Sequence, residues 1–255
     1  MTVVDDGGMI TMTKRIAHRG LSALAPENTE VAFRLATETD CYGIECDIWK
    51  SADGMYLVSH DNSLKRMCGV RLNITDTAYE DLITYPVVSG SQIEDYPVQY
   101  LISLKRFLGI LSKTDKYAFV EIKQELSLSE LDELMSIAKE YNMSDRVFFI
   151  SAHAKNVLRL RHELRFPKER IQYVHGTRPR DSMVPVNEKL VELLVKHKIG
   201  LDSKWSLIDE KYVDRLHDEG LLVNVWTVKD EKTLCHTTEE LGVDMVTMND
   251  VTAFM

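Results

Sequence analysis

Two carboxylates stand two residues apart in an apolar stretch of this sequence. Glu45 and Asp47 belong to the segment 43–49 (GIECDIW), whose β-branched and aromatic residues predict a buried strand. Side chains alternate along a strand, so the two carboxylates share one face. At ~4 Å they would repel by about 1–4 kcal/mol, before any cost of burial. A bound cation, a shared proton or basic neighbours would offset this repulsion; an edge strand with two solvated carboxylates is the plainer alternative.

A third carboxylate occurs in the segment 117–123 (YAFVEIK), which is also predicted to be a strand. Glu121 and Lys123 share one face of it. If Glu121 meets Glu45 and Asp47 at the ends of neighbouring strands, the three form an all-oxygen ligand set. Such a set selects a hard cation, Mg²⁺ or Ca²⁺, over zinc. A simple ion pair between Glu121 and Lys123 is the alternative.

Two of the eight histidines stand next to predicted strands on either side of the acidic one. His18 closes the first strand, and His60 follows a short hairpin strand over 55–59. Two imidazoles beside a cation-bound anion can serve as base and acid near neutral pH. For either histidine taken alone, a core residue bonded to the backbone is the simpler interpretation.

Predicted strands and helices alternate along the chain, which favours a TIM (β/α)8 barrel with a small insertion after strand two. A doubly wound open sheet is the second choice, although no GxGxxG motif opens a helix after a strand. In a barrel the active site lies at the C-terminal ends of the strands, where the acids and histidines would converge. The predicted parallel strands cover 15–18, 43–49, 117–123, 147–151, 171–174, 199–202, 221–228 and 244–247.

Local signals refine this organisation. Asn28 is a plausible N-cap for the first helix, and the Ser127-x-x-Glu130 pattern is a capping box for a later one. Residues of about 61–100 are irregular and are interpreted as an insertion, because they carry too little periodic apolar sequence for a separate core. The chain 1–255 is therefore predicted to be a single domain, with 1–13 as a loose leader.

Composition limits the classes of function. The 255 residues carry a formal net charge of -9 without a long basic run, which argues against a nucleic-acid surface. The four cysteines form no CxxC pair, as expected of reduced thiols in a cytoplasmic enzyme. No apolar stretch approaches the ~18 residues of a membrane span, so stable membrane insertion is not expected.

The sequence resembles the glycerophosphodiester phosphodiesterase family. Each matching motif is short, but their order and spacing agree across nearly the whole chain, and the family's insertion coincides with the irregular segment. The motifs are His18-Arg19-Gly20, Ala25-Pro26-Glu27-Asn28-Thr29, Glu45-x-Asp47, Asp53-Gly54, Val58-x-His60-Asp61 and Glu121-Ile122-Lys123.

The resemblance implies a TIM barrel that hydrolyses small-molecule glycerophosphodiesters to glycerol 3-phosphate and an alcohol, with one divalent cation, Mg²⁺ or Ca²⁺. Carried over by position, the catalytic histidines are His18 and His60. The metal ligands are Glu45, Asp47 and Glu121, and the basic residues near the phosphate are Arg19 and Lys123. The resemblance does not indicate which histidine is the acid and which the base.

The end of the chain departs from the family. The common Thr-Asp-x-Pro is replaced by the segment 247–250 (TMND), which puts the usual contacts of that aspartate in doubt. Trp226 in the seventh strand is kept; it would line a glycerol pocket or pack in the barrel core. A catalytically silent barrel that binds phosphodiesters remains the alternative function, although none of the expected ligands or histidines is missing.

Overall fold

The computed structural model describes residues 13–177 and 182–254. Eight parallel strands make up its central sheet. They are β1 (Lys14–Ala17), β2 (Gly43–Lys50), β4 (Tyr117–Ile122), β5 (Val147–Ser151), β6 (Ile171–His175), β7 (Gly200–Lys204), β8 (Val223–Val228) and β9 (Met245–Met248). The short strand β3 (Tyr56–Val58) lies between β2 and β4 in the chain. The predicted leader 1–13 lies outside the described residues except for Thr13, and it stays a prediction.

The sheet closes on itself. β1 pairs in parallel with both β2 and β9, and the remaining parallel strands follow in the order β9-β8-β7-β6-β5-β4-β2. β3 pairs antiparallel with β2, outside the ring, through the hairpin turn that contains Gly54. Closure through β1 confirms the predicted (β/α)8 barrel, because an open sheet would leave two free edges.

Helices lie between the strands and cover the outside of the barrel. Ser127 and Glu130 form the predicted capping box at the start of α5. The longer helices are α1 (Glu30–Thr37), α4 (Leu104–Leu111), α5 (Leu128–Glu140), α7 (Glu188–His197) and α8 (Glu210–His217); α6 (Ala154–Leu158) and α9 (Glu231–Cys235) are short. Among the described residues, none of these helices combines the length and apolarity that crossing a bilayer requires.

The predicted cap of α1 is wrong. Thr29 caps this helix, accepting a hydrogen bond from the backbone N–H of Ala32, and Asn28 lies one residue earlier with a left-handed backbone (φ 58°). Asn28 is displaced from the cap because its side chain turns toward the carboxylate of Asp47 instead. Both residue types cap well, so the local sequence did not distinguish them.

An apolar plug fills the lower half of the barrel. Phe119 and Phe148 stack with ring centroids 4.3 Å apart, and Ile16 and Met245 complete the cluster. Phe119 stands two residues before Glu121 on the same face of β4, so the plug lies directly below the acidic level. The site above it therefore has a closed, apolar floor.

The irregular segment 61–100 contains short helices, including α2 (Lys65–Cys68) and α3 (Tyr79–Leu82). Leu64, Ile74 and Leu82 are fully buried and cluster around Leu57 of β3. Periodicity indicated too little apolar sequence in 61–100 for a separate core. The buried side chains come instead from short turns, where apolar residues have no regular spacing. The assignment of 61–100 as an insertion within a single domain stays a prediction.

Candidate active site

A cavity of about 250 Å³ opens at the C-terminal end of the barrel, and all eight predicted site residues lie at or beneath it. Asp47 lies beneath, only 1 % exposed. This volume is just below the usual range for small-molecule sites, so it suits a compact ligand. The lining includes His18, Arg19, Glu45, His60, Glu121, Lys123 and Trp226.

Three carboxylates form the acidic side of the cavity. Asp47 and Glu121 are register partners on β2 and β4, and Glu45 shares the face of Asp47. One carboxylate oxygen from each residue lies within 4.8 Å of one from each of the other two, and all three residues are buried. Burial, reinforced by the charge of Asp47, raises the pKa of Glu45 well above its ordinary value, and burial likewise raises the pKa of Glu121. Three buried oxygen donors at this spacing could hold a divalent cation.

Asp47 is the carboxylate with the most partners. Lys123 Nζ lies 3.1 Å from its Oδ1, Arg19 Nε lies 3.2 Å from its Oδ2, and Asn28 donates a hydrogen bond of 2.9 Å to Oδ2. Burial alone would raise the pKa of Asp47, but the charges of Lys123 and Arg19 outweigh it and lower that pKa. Asp47 is therefore ionised, and its basic neighbours offset the repulsion that the sequence predicted.

The loop after β1 explains the His-Arg-Gly motif. Arg19 has a left-handed backbone (φ 56°), which turns its N–H toward Glu45 Oε2 at 2.9 Å. Gly20 follows with φ 80°, and a Cβ there would lie 2.6 Å from the backbone of Ala32 in α1. Only glycine fits this close approach. The tight turn holds Arg19 at the acidic cluster.

His18 is held from behind by the end of β9. Its Nδ1 lies 2.7 Å from Asn249 Oδ1, so Nδ1 carries the proton and donates, and Nε2 is left with its lone pair. Burial, together with the charge of Arg19, lowers the pKa of His18 to about 4. The ring is therefore neutral near pH 7. Asn249 belongs to the altered segment 247–250, which thus supplies a contact to the site.

His60 is held by a chain of charged groups. Its Nδ1 lies 2.8 Å from Asp61 Oδ1, and Asp61 Oδ2 accepts a hydrogen bond of 2.6 Å from Arg66 Nε. Arg66 also donates to Glu27, which in turn pairs with Arg19. This chain links α2 to both sides of the cavity. It fixes the imidazole of His60 while leaving Nε2 for a ligand.

Lys123 spans the acidic cluster. Its Nζ lies 3.1 Å from both Glu121 Oε1 and Asp47 Oδ1. Burial would lower the pKa of Lys123, but the two carboxylates outweigh it and raise that pKa. The ion pair of Glu121 and Lys123, predicted as an alternative, is thus present as part of a larger network.

Several polar residues in or next to the cavity were not among the predicted site residues. Asn28 binds Asp47, Asn249 binds His18, and Asp202 of β7 lines the cavity while only 3 % exposed. Asn28 stands inside a quoted motif, so the motif itself was a usable signal. Asp202 is the last residue of the predicted strand 199–202, and no motif in the local sequence marks it as a site residue.

Comparison with known proteins places the chain in a class. The family model described as "Glycerophosphoryl diester phosphodiesterase family" matches residues 18–253. The chain belongs to this family, and is thus by family a phosphodiesterase. The matched range includes every residue of the acidic cluster and both histidines of the cavity.

The chain is also similar to individual proteins. A glycerophosphodiester phosphodiesterase of Bacillus altitudinis is 25% identical over 237 residues, covering 91% of this chain and 93% of that protein. The Bacillus subtilis protein YqiK is 33% identical over 138 residues, covering 53% of this chain and 56% of that protein. An Oleispira antarctica phosphodiesterase, solved with the product sn-glycerol-3-phosphate, shares the fold with a TM-score of 0.79 and 22% identity over 92% of each chain.

Proposed function

We propose that this chain hydrolyses glycerophosphodiesters to glycerol 3-phosphate and an alcohol, with acid–base histidines beside a carboxylate-bound divalent cation. One observation carries the proposal: a single cavity joins the buried triad Glu45, Asp47 and Glu121 to His18 and His60. A phosphodiester is a stable monoanion, so its hydrolysis requires charge neutralisation and proton transfer at both reacting oxygens. The cavity contains groups for each requirement.

The three carboxylates would hold the cation, Mg²⁺ or Ca²⁺, since oxygen donors suit hard ions. When bound, the ion neutralises phosphate charge and polarises the scissile group. The three carboxylates and a divalent ion together carry a net charge of −1. With the positive charges of Arg19 and Lys123 added, the net charge of the site is +1. The cavity then attracts an anion instead of repelling it.

The basic residues bind and orient the phosphate. Lys123 is buried, whereas the guanidinium of Arg19 offers a planar fork that matches two phosphate oxygens. Both side chains are already fixed by Asp47, so little rotamer freedom is lost on binding. This preorganisation would place the phosphorus between the two imidazoles.

The histidine environments suggest their division of labour. Nδ1 of His18 donates to Asn249, and the depressed pKa keeps the ring neutral, so Nε2 can accept the proton of the nucleophile. That nucleophile is water or the neighbouring hydroxyl of the substrate's glycerol; in the second case the alcohol leaves with formation of a cyclic phosphate, which water then opens to glycerol 3-phosphate. His60 is then left to donate a proton from Nε2 to the departing oxygen.

The relatives support the substrate class. The Bacillus altitudinis relative is named for glycerophosphodiester hydrolysis, and the Oleispira antarctica enzyme was solved with glycerol 3-phosphate. We also infer a cytoplasmic location, because all four cysteines are free, and unpaired thiols suit a reducing compartment.

An activity screen tests the proposal. Purified protein is incubated with glycerophosphocholine, glycerophosphoethanolamine and glycerophosphoglycerol, each with and without chelator, and released glycerol 3-phosphate is quantified. We expect turnover of at least one substrate that the chelator abolishes. Binding of all three without turnover in added Mg²⁺ or Ca²⁺ would instead identify a silent phosphodiester-binding barrel.

A further inference from the structure

The cavity has a second wall, opposite the acidic one. Around the ring, β7 is four strands from β2 in either direction, through β4, β5 and β6 or through β1, β9 and β8. Asp202 of β7 therefore faces the cavity from across the barrel from Glu45 and Asp47. Trp226 of β8 is likewise four strands from Glu121 of β4. A ligand held at the acids would extend toward this wall.

Asp202 has an unused hydrogen-bonding atom. It is 3 % exposed, it lines the cavity, and its Oδ1 has no hydrogen-bond partner among residues 13–177 and 182–254. An unsatisfied buried polar atom costs free energy, about 1–3 kcal/mol, and such atoms are rare in folded proteins. The carboxyl is therefore placed for a ligand.

Trp226, like Asp202, has a buried polar atom without a hydrogen-bond partner among the described residues. Its indole Nε1 is buried, and within the part of the chain that the structure describes it too has no acceptor. Next to Asp202, on the side away from Trp226, the wall is apolar and is formed by Val174 of β6 and Ile150 of β5. The wall thus offers one carboxyl, one N–H donor and a small hydrocarbon surface. This combination matches a short carbon chain that carries hydroxyl groups.

We propose that Asp202, with Trp226 Nε1, forms a hydroxyl-binding subsite that recognises the glycerol end of the substrate and sets its specificity. The inference rests on the proposed function and extends it to a specificity-determining residue. The hydroxyl of the glycerol donates to Asp202 Oδ1, and a hydroxyl oxygen accepts from Trp226 Nε1. Glycerol has a fixed size and fits a buried end of a 250 Å³ cavity, whereas the variable alcohol must face the opening.

The test uses Asp202→Leu, which removes the hydrogen-bonding atoms, with Asp202→Asn as the matched control that keeps an oxygen acceptor. For each protein, kcat/KM is measured on glycerophosphocholine and on bis(4-nitrophenyl) phosphate, a diester without glycerol. We expect the ratio of the two values to fall about 10- to 100-fold in Asp202→Leu, as for the loss of a satisfied hydrogen bond. Asp202→Asn should recover most of that loss. A ratio within threefold of the wild type in Asp202→Leu would overturn the proposal.

Two further measurements distinguish a ligand subsite from a carboxyl that only supports the fold. Asp202→Leu should melt no lower than the wild type, since it removes an unpaired buried carboxyl; a much lower melting temperature would indicate a structural role and contradict the proposal. Calorimetry compares the affinities for glycerol 3-phosphate and inorganic phosphate, and only the first should weaken in the variant. Calorimetry needs no turnover. If the wild type proved inactive, the proposed function would be wrong, but the binding measurements would still test the subsite. An equal loss of affinity for glycerol 3-phosphate and for inorganic phosphate would contradict the proposed subsite.

Discussion

The contact between Asn249 and His18 allows a sharp test of the proposed base. Asn249→Asp would place a carboxylate where the amide oxygen now accepts from Nδ1 at 2.7 Å. A charge ~4 Å from the centre of the ring stabilises the imidazolium by about 1 kcal/mol in a water-like dielectric and about 4 kcal/mol at an effective dielectric constant of ~20. At 1.36 kcal/mol per unit, this corresponds to a rise of about 1–3 units in the pKa of His18.

The direction in which the pH profile moves depends on whether His18 is the base or the acid. A base must be neutral to act, so kcat/KM falls as pH drops through the pKa of the base in the free enzyme. In the wild type that pKa is about 4, and activity should persist into mildly acidic solution. In Asn249→Asp the acidic limb should move to higher pH by about 1–3 units. If His18 were the acid, the basic limb would move upward instead.

The assay records kcat/KM on glycerophosphocholine at constant ionic strength and saturating cation, from mildly acidic to mildly basic pH. Circular dichroism at each pH excludes unfolding as the cause of lost activity. Asn249→Leu is the control: it removes the acceptor without adding charge, so activity should fall without an upward move of the acidic limb. Coincident acidic limbs in wild type and Asn249→Asp would refute the assignment of His18 as base.

Other predictions concern the cation and the charged residues of the cavity. Treatment with EDTA should abolish hydrolysis and added Mg²⁺ or Ca²⁺ should restore it; full activity of the stripped protein would contradict the cation site. Glu45→Gln should weaken cation binding, measured by calorimetry, far more than it lowers the melting temperature, because burial and the charge of Asp47 raise the pKa of Glu45, and the variant removes that repulsion together with a ligand. Lys123→Ala should raise KM at saturating cation, whereas a fixed KM with altered cation affinity would mean that it only neutralises Glu121. His18→Ala and His60→Ala should each lower kcat by at least ~10²-fold at nearly unchanged melting temperature, and the double variant should be little worse than the poorer single one. A large fall in melting temperature with kcat per folded molecule preserved would instead show core histidines.

The segment 61–100 illustrates where pattern reasoning fails. Periodicity identifies faces of long helices and strands, but Leu64, Ile74 and Leu82 come from separate short turns. Their burial depends on the outer strand β3, which they reach through space rather than by a regular spacing in the chain. The same segment carries Arg66, whose bonds to Asp61 and Glu27 connect it to the site. Short apolar turns without a period therefore conceal both packing and function.

The sequence alone determined which side chains share a face. The alternation of a strand places Glu45 beside Asp47 and Glu121 beside Lys123, because these relations depend only on backbone geometry over two residues. The αβ alternation determined the barrel and, with it, the end at which these groups meet. The ordered motifs then pointed to the family. All of this information is local or depends on chain order.

Only the tertiary structure decided the partners of these groups. Asn249 is 231 residues from His18, and they meet because β1 closes the ring against β9. Asp202 faces the acids because β7 stands opposite β2, a relation set by the number of strands in the closed ring. Burial, and hence the direction of each pKa, also depends on what surrounds a group in three dimensions. Contacts made by ring closure have no period in the sequence, so no local pattern could have predicted them.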